Sequence, residues 1–485
     1  MKISKIPGCI LALCILFANS ATVQAQDTWT LQRSVDYAMQ NNISIRQQDV
    51  QKRFAALSYK QSQLAQIPSL SAGLQGTYGS GRNIDPYTNA IITQSYFNLG
   101  GGLTANVDIF NWFYRRNQIA SNKYEAEAQN RFLEMARNNV AFNIAGAFLK
   151  ILLNMEQVHI AELQVKLTTS QLENTKKLVI AGSVPESNQA DLETKLATDS
   201  VNIITARNNV ILATLEMKAL LNLGFDVPYV PQVPANINEI PVPRMDEVDP
   251  EMVFSAAQTT NPEIKGDQLK IKSFERAYAA QKGLLYPSLS AQGNLNTSYA
   301  NSAKTQVLTG GSTPFTEDVG TVTIAGTNYT VRKTTDIPNF VTSTIPFGDQ
   351  INNNFRQSVG VSLNIPILNG WQQRTNVKQA KLNVETQKLT LEQDLLQLRQ
   401  DIYTAHANAM AAIQKYSASS KGVLSSQKAY DFATKRFDLG LMNTIDYITT
   451  QNNLFKAQID KVSAQYEYLF RLKLLEFYRD QKITL

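Results

Sequence analysis

The chain has 485 residues, and its formal net charge of +6 is spread without basic runs, which excludes a nucleic-acid-binding protein. Its only cysteines, Cys9 and Cys14, sit near the start, so the body of the chain has no disulfide framework and no cysteine metal site. Beyond the first 25 residues no segment offers the roughly 18 consecutive apolar residues that a transmembrane helix needs.

Residues 1–25 read as a secretory signal: Lys2 and Lys5, an apolar stretch from Ile10 to Phe17, and Val23-Gln24-Ala25 as the cleavage site before Gln26. Leu13 stands where a lipoprotein would need a small residue before Cys14, so lipidation is not expected. Residues 29–66 predict a helix with Val35, Ala38, Met39, Ile43 and Ile45 on its apolar side, stopped by Pro68. From Ser69 the period changes to two: Leu70, Ala72 and Leu74 alternate with Ser71, Gly73 and Gln75 to about Tyr78. A second alternation sets Leu103, Ala105, Val107 and Ile109 against Thr104, Asn106 and Asp108.

Residues 116–180 then predict one helix without an internal proline, about 100 Å long at about 1.5 Å per residue. After a break at Gly182 a second helix returns to about Leu221. Its seam, Ala190, Ala197, Val201, Ile204, Asn208, Ile211 and Leu215, has the spacing of a coiled coil. Residues 223–247, rich in Pro, Asn and Val, form a linker with at most a short strand.

The rest of the chain repeats this unit. At a shift of 219, Ala38, Asn42, Ile45, Tyr59 and Pro68 meet Ala257, Asn261, Ile264, Tyr278 and Pro287, and SLSA follows both prolines. Beyond the SLSA segments the shift grows to 258, so the second copy carries 39 extra residues between Ala291 and Ile367. Its strands show Leu289, Ala291 and Leu295, then Val359, Val361, Leu363 and Ile365, against Arg356, Ser358, Ser362 and Asn364. Residues 374–438 predict the second long helix, Gly440 its break, and Ile448, Phe455, Ile459, Val462, Tyr466 and Leu469 the second seam. The organisation expected is a signal over 1–25, a first repeat over 26–222, the linker over 223–247 and a second repeat over 248–485.

Strands of about 10 residues with one apolar face suit a tilted crossing of a bilayer. Tyr78, Tyr96, Phe97, Tyr299 and Phe355 stand near strand ends, where interfacial aromatic belts form. A soluble sandwich is the alternative, but four strands flanked by very long helices argue against it. Four such strands have two open edges that lipid cannot hydrate, so several chains must share one barrel. Residues 79–101 and 300–354 are then the outward hairpins, the longer one including a subsidiary hairpin over 323–331.

The residues offer no catalytic chemistry. His159 and His406 are helix residues, are not repeat equivalents, and belong to no metal-binding arrangement. Gly100-Gly101-Gly102 lacks the Gly-Lys-Ser/Thr of a phosphate loop and reads as hairpin flexibility. No catalytic, cofactor or metal site is expected.

The doubled unit, the prolines before SLSA, the segment Ile365-Pro366-Ile367-Leu368-Asn369-Gly370 before Arg374 and the tips at Gly182 and Gly440 together resemble the TolC family of outer-membrane efflux proteins. The resemblance implies a mixed α/β membrane protein: a trimeric twelve-stranded β-barrel, four strands per chain, continued by a long periplasmic α-helical coiled-coil barrel. It implies an outer-membrane exit duct in a tripartite efflux or secretion system. Its partners would be two further copies, outer-membrane lipid, a periplasmic membrane fusion adaptor and an inner-membrane pump of the RND or ABC type. An exported coiled-coil scaffold or adhesin without a pore is the second reading.

The resemblance also implies site residues. Gly182, Ser183 and Val184, with Gly440, Leu441 and Met442, match the family's docking tips, although glycine at a helix end also serves simple turn geometry. Ser183 with Glu186 fits a capping box for the returning helix. Asp446 matches an aspartate that faces the pore, Thr449 replaces a second one, and Asn188 is the first-copy equivalent of Asp446. The alternative is that Asp446 only stabilises a helix start with Asn443 as N-cap.

Overall fold

The computed structural model describes residues 28–84, 89–233 and 249–481. The expected signal lies outside the described residues, as does most of the linker. The described chain forms two units that each draw on both copies of the repeat, one from residues 28–57, 122–233, 249–274 and 383–481, the other from 58–84, 89–121 and 275–382.

In the first unit the expected opening helix is two helices, α1 (Leu31–Asn41) and α2 (Ile43–Leu64), divided at Asn42. The break has a chemical cause. Asn42 ends α1 by donating its backbone N–H to Ala38 O, and its Oδ1 accepts from the N–H groups of Ser44 and Ile45, so one residue caps two helices. The second copy does the same with Asn261 between α5 (Pro250–Thr260) and α6 (Pro262–Gly283): its N–H reaches Ala257 O, and its Oδ1 accepts from Glu263 N.

The long helices are α3 (Tyr114–Ile180) and α8 (Gln372–Asp438), 67 residues each, and their returning partners are α4 (Glu186–Leu221) and α9 (Thr444–Asp480). α3 and α8 start 258 positions apart, the repeat shift, and so do α4 and α9. The core of this unit joins Ile144, Phe148 and Ile151 of α3 to Met217 and Leu221 of α4. Two short strands, β1 (Thr28–Trp29) and β4 (Val230–Pro231), pair in parallel beside it, and β4 is the short strand expected within the linker. Tyr229 anchors that linker segment: its ring lies 5.2 Å from that of Trp29, and its hydroxyl, 3.0 Å from Ser34 Oγ, is pushed to about 12 by burial.

The first seam is not the face that packs within the chain. Val201, Ile204 and Ile211 are exposed, and the positions of α4 that pack inward are Leu192, Lys195, Asp199, Ala213 and Met217. Lys195 and Asp199 pair there out of contact with water, with Thr168 Oγ1 donating to Asp199 Oδ2 at 2.7 Å. The regular apolar stripe thus lies away from the face of α4 that packs within the chain, as a helix needs when it also meets a neighbour outside it.

The second unit is built on one antiparallel sheet, ordered β2 (Ser69–Ile84), β3 (Ile91–Phe110), β5 (Ser288–Ala300), β8 (Arg356–Asn364). The strands of the first hairpin are longer than the expected 69–78 and 103–109, because residues 79–84 and 91–101 are paired strand rather than loop. Glycine disguised this. Gly100, Gly101 and Gly102 lie mid-strand, and a Cβ on Gly102 would stand 2.2 Å from Asn296 Oδ1, so glycine there permits close strand approach. At Gly79 the ring of Tyr96 occupies the space of a side chain.

The segment that carries the 39 extra residues forms more than the small hairpin expected over 323–331. It holds β6 (Lys304–Ile324) and β7 (Thr327–Thr344), paired along most of their length, and a short helix α7 (Phe347–Asn353). The turn falls at Ala325–Gly326, within the span of the expected hairpin, with both residues at positive φ.

Candidate functional site

Three features carry the functional geometry: the two faces of the sheet, the junction of strands with helices, and the helix tips.

Register sorts the sheet residues into two faces. Leu70 pairs with Ala105, Ala72 with Leu103, Leu103 with Leu295, Val107 with Ala291, Ala291 with Val361 and Leu289 with Leu363. Directly paired residues share a face, so these form one continuous apolar surface. Ser71 with Thr104, Asn106 with Gln292 and Ser290 with Ser362 form the opposite polar surface. The apolar side is exposed, with Leu70 at 72% and Val359 at 89%. The outer strands β2 and β8 have no partner on their far edges among the described residues. A sheet that shows apolar groups on one face and polar groups on the other, with both edges open, fits a bilayer on the first face and water on the second.

Aromatic residues bound the apolar face. Tyr78 pairs with Phe97, and Tyr299 pairs with Leu99 two residues away, giving a row at one end. Tyr96, expected in this belt, pairs with Gly79 and so falls on the polar face. The sequence reading missed the row at the helix end: Phe110, Trp112, Phe113, Tyr286 and Trp371 are all exposed, with Trp112 and Tyr286 ring centroids 4.8 Å apart. Two rows flanking an apolar band are what an interfacial belt requires. At the same junction Asp108 pairs with Arg115, tying the end of β3 to the start of α3.

At the tips, both helix ends close in the same way. Gly182 has φ +71°, its N–H donates to Val179 O, and Ser183 N–H donates to Leu178 O. Gly440 has φ +69°, its N–H donates to Phe437 O, and Leu441 N–H donates to Arg436 O. These are two Schellman motifs, and each needs a left-handed residue at the glycine. The expected capping box is absent. Ser183 spends its N–H on closing α3, and the N-cap of α4 is Pro185, which makes no side-chain capping bond. Beside the expected tip residues, of which Leu441 is 66% exposed, stand exposed apolar groups that the sequence reading passed over: Ile180 at 87%, Leu439 at 73% and Ile445 at 65%. Their signal was simply large apolar side chains at a chain reversal.

Asp446 lies in the first turn of α9. Its N–H donates to Asn443 Oδ1 at 2.8 Å, and Asn443 Nδ2 donates back to its Oδ2 at 2.7 Å, a reciprocal cap that leaves the carboxylate exposed. Thr449 is one turn on, with Oγ1 donating to Ile445 O. Asn188 is half-buried at the equivalent turn of α4. Among the described contacts neither Asn188 nor Thr449 bonds the Asp446 side chain.

Directly behind Asp446 is a polar cluster that no motif announced. Tyr447 is 2% exposed, its hydroxyl is 2.9 Å from that of Tyr430, and Gln171 of α3 donates to both. Gln451 Nε2 reaches Gln171 Oε1 at 3.4 Å. The first hairpin is thereby bonded to the second close to the tips.

Farther from the tips, a cavity of about 260 Å³ is lined by Asn138, Glu263, Asp394, Asp401, Tyr478 and Gln481. Nearby Asp267 is buried, with Oδ1 accepting from Gln387 at 3.3 Å. Burial, then the Asp394 carboxylate, hold its carboxyl up at about 7. Among the described residues no group of His, Cys, Asp or Glu has a metal-holding arrangement.

Comparison with known proteins agrees with this geometry. The sequence profile of the family described as outer membrane efflux protein matches residues 35–223 and 253–477. The outer membrane efflux protein BepC of Brucella suis is 20% identical over 458 residues, 94% of this chain and 87% of that protein. The outer membrane protein TolC of Escherichia coli is 21% identical over 408 residues, 83% of this chain and 72% of that one. The fold is similar to that of the CmeC outer membrane channel of Campylobacter jejuni, with TM-score 0.70 and 16% identity over 93% of this chain and 85% of the other. The chain belongs to the outer membrane efflux protein family; it is an outer-membrane channel protein with a periplasmic helical domain, not an enzyme.

Proposed function

We propose that three copies of this chain close a twelve-stranded barrel in the outer membrane and form the exit duct of a tripartite system. The observation that carries this is the four-stranded sheet with one apolar face and two open edges, β2 and β8. Unpaired backbone groups in hydrocarbon cost several kcal/mol each, so each β8 edge needs the β2 edge of another copy. The exposed stripe of Val201, Ile204 and Ile211 supports the same assembly among the helices. A scaffold or adhesin without a pore would leave these surfaces without a partner.

In this reading residues 1–25 are a removable leader, and 26–222 and 248–485 are repeats joined by 223–247. The hairpins over 79–101 and 300–354 face outward from the cell. Gly182, Ser183, Val184, Gly440, Leu441 and Met442, with the exposed Ile180 and Leu439, meet a periplasmic adaptor that recruits an RND or ABC pump. Asp446, with Asn188 and Thr449 near it in sequence or repeat position, lines the narrow end of the duct, where three carboxylates would favour cations.

The assembly is tested by the mass of the protein extracted from outer membranes in mild detergent. Three chains per particle is the expected result. A soluble monomer recovered from the periplasm would refute it. An epitope inserted at the 325–326 turn should be labelled on intact cells.

A further inference from the structure

The longest strand among the described residues lies outside the four-stranded sheet. Among the described residues β6 and β7 pair only with each other, and the first copy of the repeat has no counterpart. Their register separates two faces. Ile324, Val322 with Tyr329, Val331, Phe315 and Ile337 lie on one; Thr321 with Thr330, Thr316 with Thr334, and Asp318 with Arg332 lie on the other. The threonine face is internally bonded, with Thr316 Oγ1 3.0 Å from Thr334 Oγ1 and Arg332 Nε donating to Asp318 Oδ1 at 3.0 Å. Nothing among the described residues covers the apolar face: Phe315, Tyr329 and Ile324 are each more than half exposed. A two-stranded hairpin is marginal in water on its own, and an uncovered apolar face adds to its cost.

We infer that the 304–344 hairpins of three chains converge through their apolar faces into a three-hairpin assembly beyond the mouth of the barrel. This rests on the trimer reading above. Three observations select further copies of the chain as the occupant. First, the hairpin rises beside the edge where the next copy joins. β8 pairs with β5 only from Ser288 to Asn296, and above that level the place of β8 is taken by α7 and the hairpin base. Second, that base is fixed. Gln350, buried, donates to Ala300 O and Ile345 O and accepts from Ala300 N, and Ile345 N donates to Ala303 O. Three hairpins are therefore held at one height around one axis, at an effective concentration on the order of millimolar. Third, charge does not oppose their approach. Lys304, Arg332 and Lys333 balance Glu317, Asp318 and Asp336, and Glu317 faces Lys333 directly in register. That pair lies on the apolar face between Val331 and Phe315, so a lipid-covered face would have to bury it in hydrocarbon, whereas a contact between copies sets it against the like-placed Glu317 and Lys333 of its neighbours.

The test uses single cysteines, because Cys9 and Cys14 precede the expected processing site and leave the rest of the chain without thiols. Val322→Cys and Tyr329→Cys place a thiol on the apolar face, and Thr321→Cys and Thr330→Cys place one on the other. Each variant is purified as full-length protein in detergent, its mass measured, and treated with a short bis-maleimide. The expected result is linked dimers from Val322→Cys or Tyr329→Cys, with single chains only from Thr321→Cys and Thr330→Cys. Intact three-chain particles in which neither apolar-face cysteine links, and all four react equally with a simple maleimide, would overturn the inference alone. A particle without three chains would overturn the trimer reading and this inference with it.

Discussion

Phe113 and Trp371, separated by the repeat shift of 258, both hold left-handed backbone, with φ of +62° and +65°. Each follows a second left-handed residue, Trp112 or Gly370, and each turn is closed by an Asn carbonyl, Asn111 O accepting from Tyr114 N and Asn369 O from Gln372 N. A left-handed aromatic residue costs about 1–2 kcal/mol, and here it is retained where the side chain is exposed. The membrane interface is the setting in which an exposed ring repays that strain. Phe113→Asn, which tolerates the same φ, should leave the isolated fold at least as stable while lowering the amount of trimer retained in outer-membrane fractions. Quantitative blotting of membrane and soluble fractions would register the loss; equal retention would remove the belt from the account.

At the tips, turn geometry and docking can be separated. Gly182→Asn or Gly440→Asn keeps a residue that accepts positive φ, whereas Gly→Val adds about 1–2 kcal/mol of strain. If the tips dock a partner, both substitutions should abolish efflux in a susceptibility assay while trimers persist. Full efflux by the Asn variants would leave turn geometry as the only role of these glycines.

Asp446 is both an N-terminal helix acid and the proposed constriction residue. Asp446→Asn should cost the helix start about 0.5–1 kcal/mol and also reduce cation preference and block by multivalent cations in planar bilayers. Unchanged ion selectivity would restrict Asp446 to its reciprocal cap with Asn443.

Asp267 should make the helical unit pH-dependent. Its carboxyl is held at about 7, against an ordinary 3.8, by burial first and by Asp394 and Glu263 next, with Lys270 opposing them. Glu263 is raised as well, by burial and by Asp394 and Asp401. Between the two values the folded chain keeps a proton that the unfolded chain releases, so stability is complete below pH 4 for this group and falls as pH rises to about 7. Asp267→Asn should therefore raise stability at pH 8 by on the order of 2 kcal/mol and hardly change it at pH 4. Thermal unfolding at the two pH values decides the sign, and destabilisation at pH 8 would refute it.

Much of this architecture was legible because the repeat acts as an internal standard. The equal spans of α3 and α8 follow from two proline-free stretches in one register, and the apolar sheet face follows from a strict period of two. What stayed hidden has physical reasons. Asn42 and Asn261 look like ordinary polar helix residues until their side chains are seen capping the next helix. The glycines of β2 and β3 read as loop because sequence alone cannot tell a flexible glycine from one that lets strands approach. The 304–344 hairpin has no first-copy equivalent against which to set its register. The Tyr430, Tyr447 and Gln171 cluster joins residues 259 and 276 positions apart, beyond any periodic signal.

An open-edged amphipathic sheet becomes a pore when copies of the chain combine. The most direct test is electrical: detergent-purified particles added to a planar lipid bilayer. Discrete, uniform conductance steps that disappear when β8 is broken by Val361→Pro are the predicted result. Folded, outer-membrane-derived particles that insert without producing any conductance step would contradict the account.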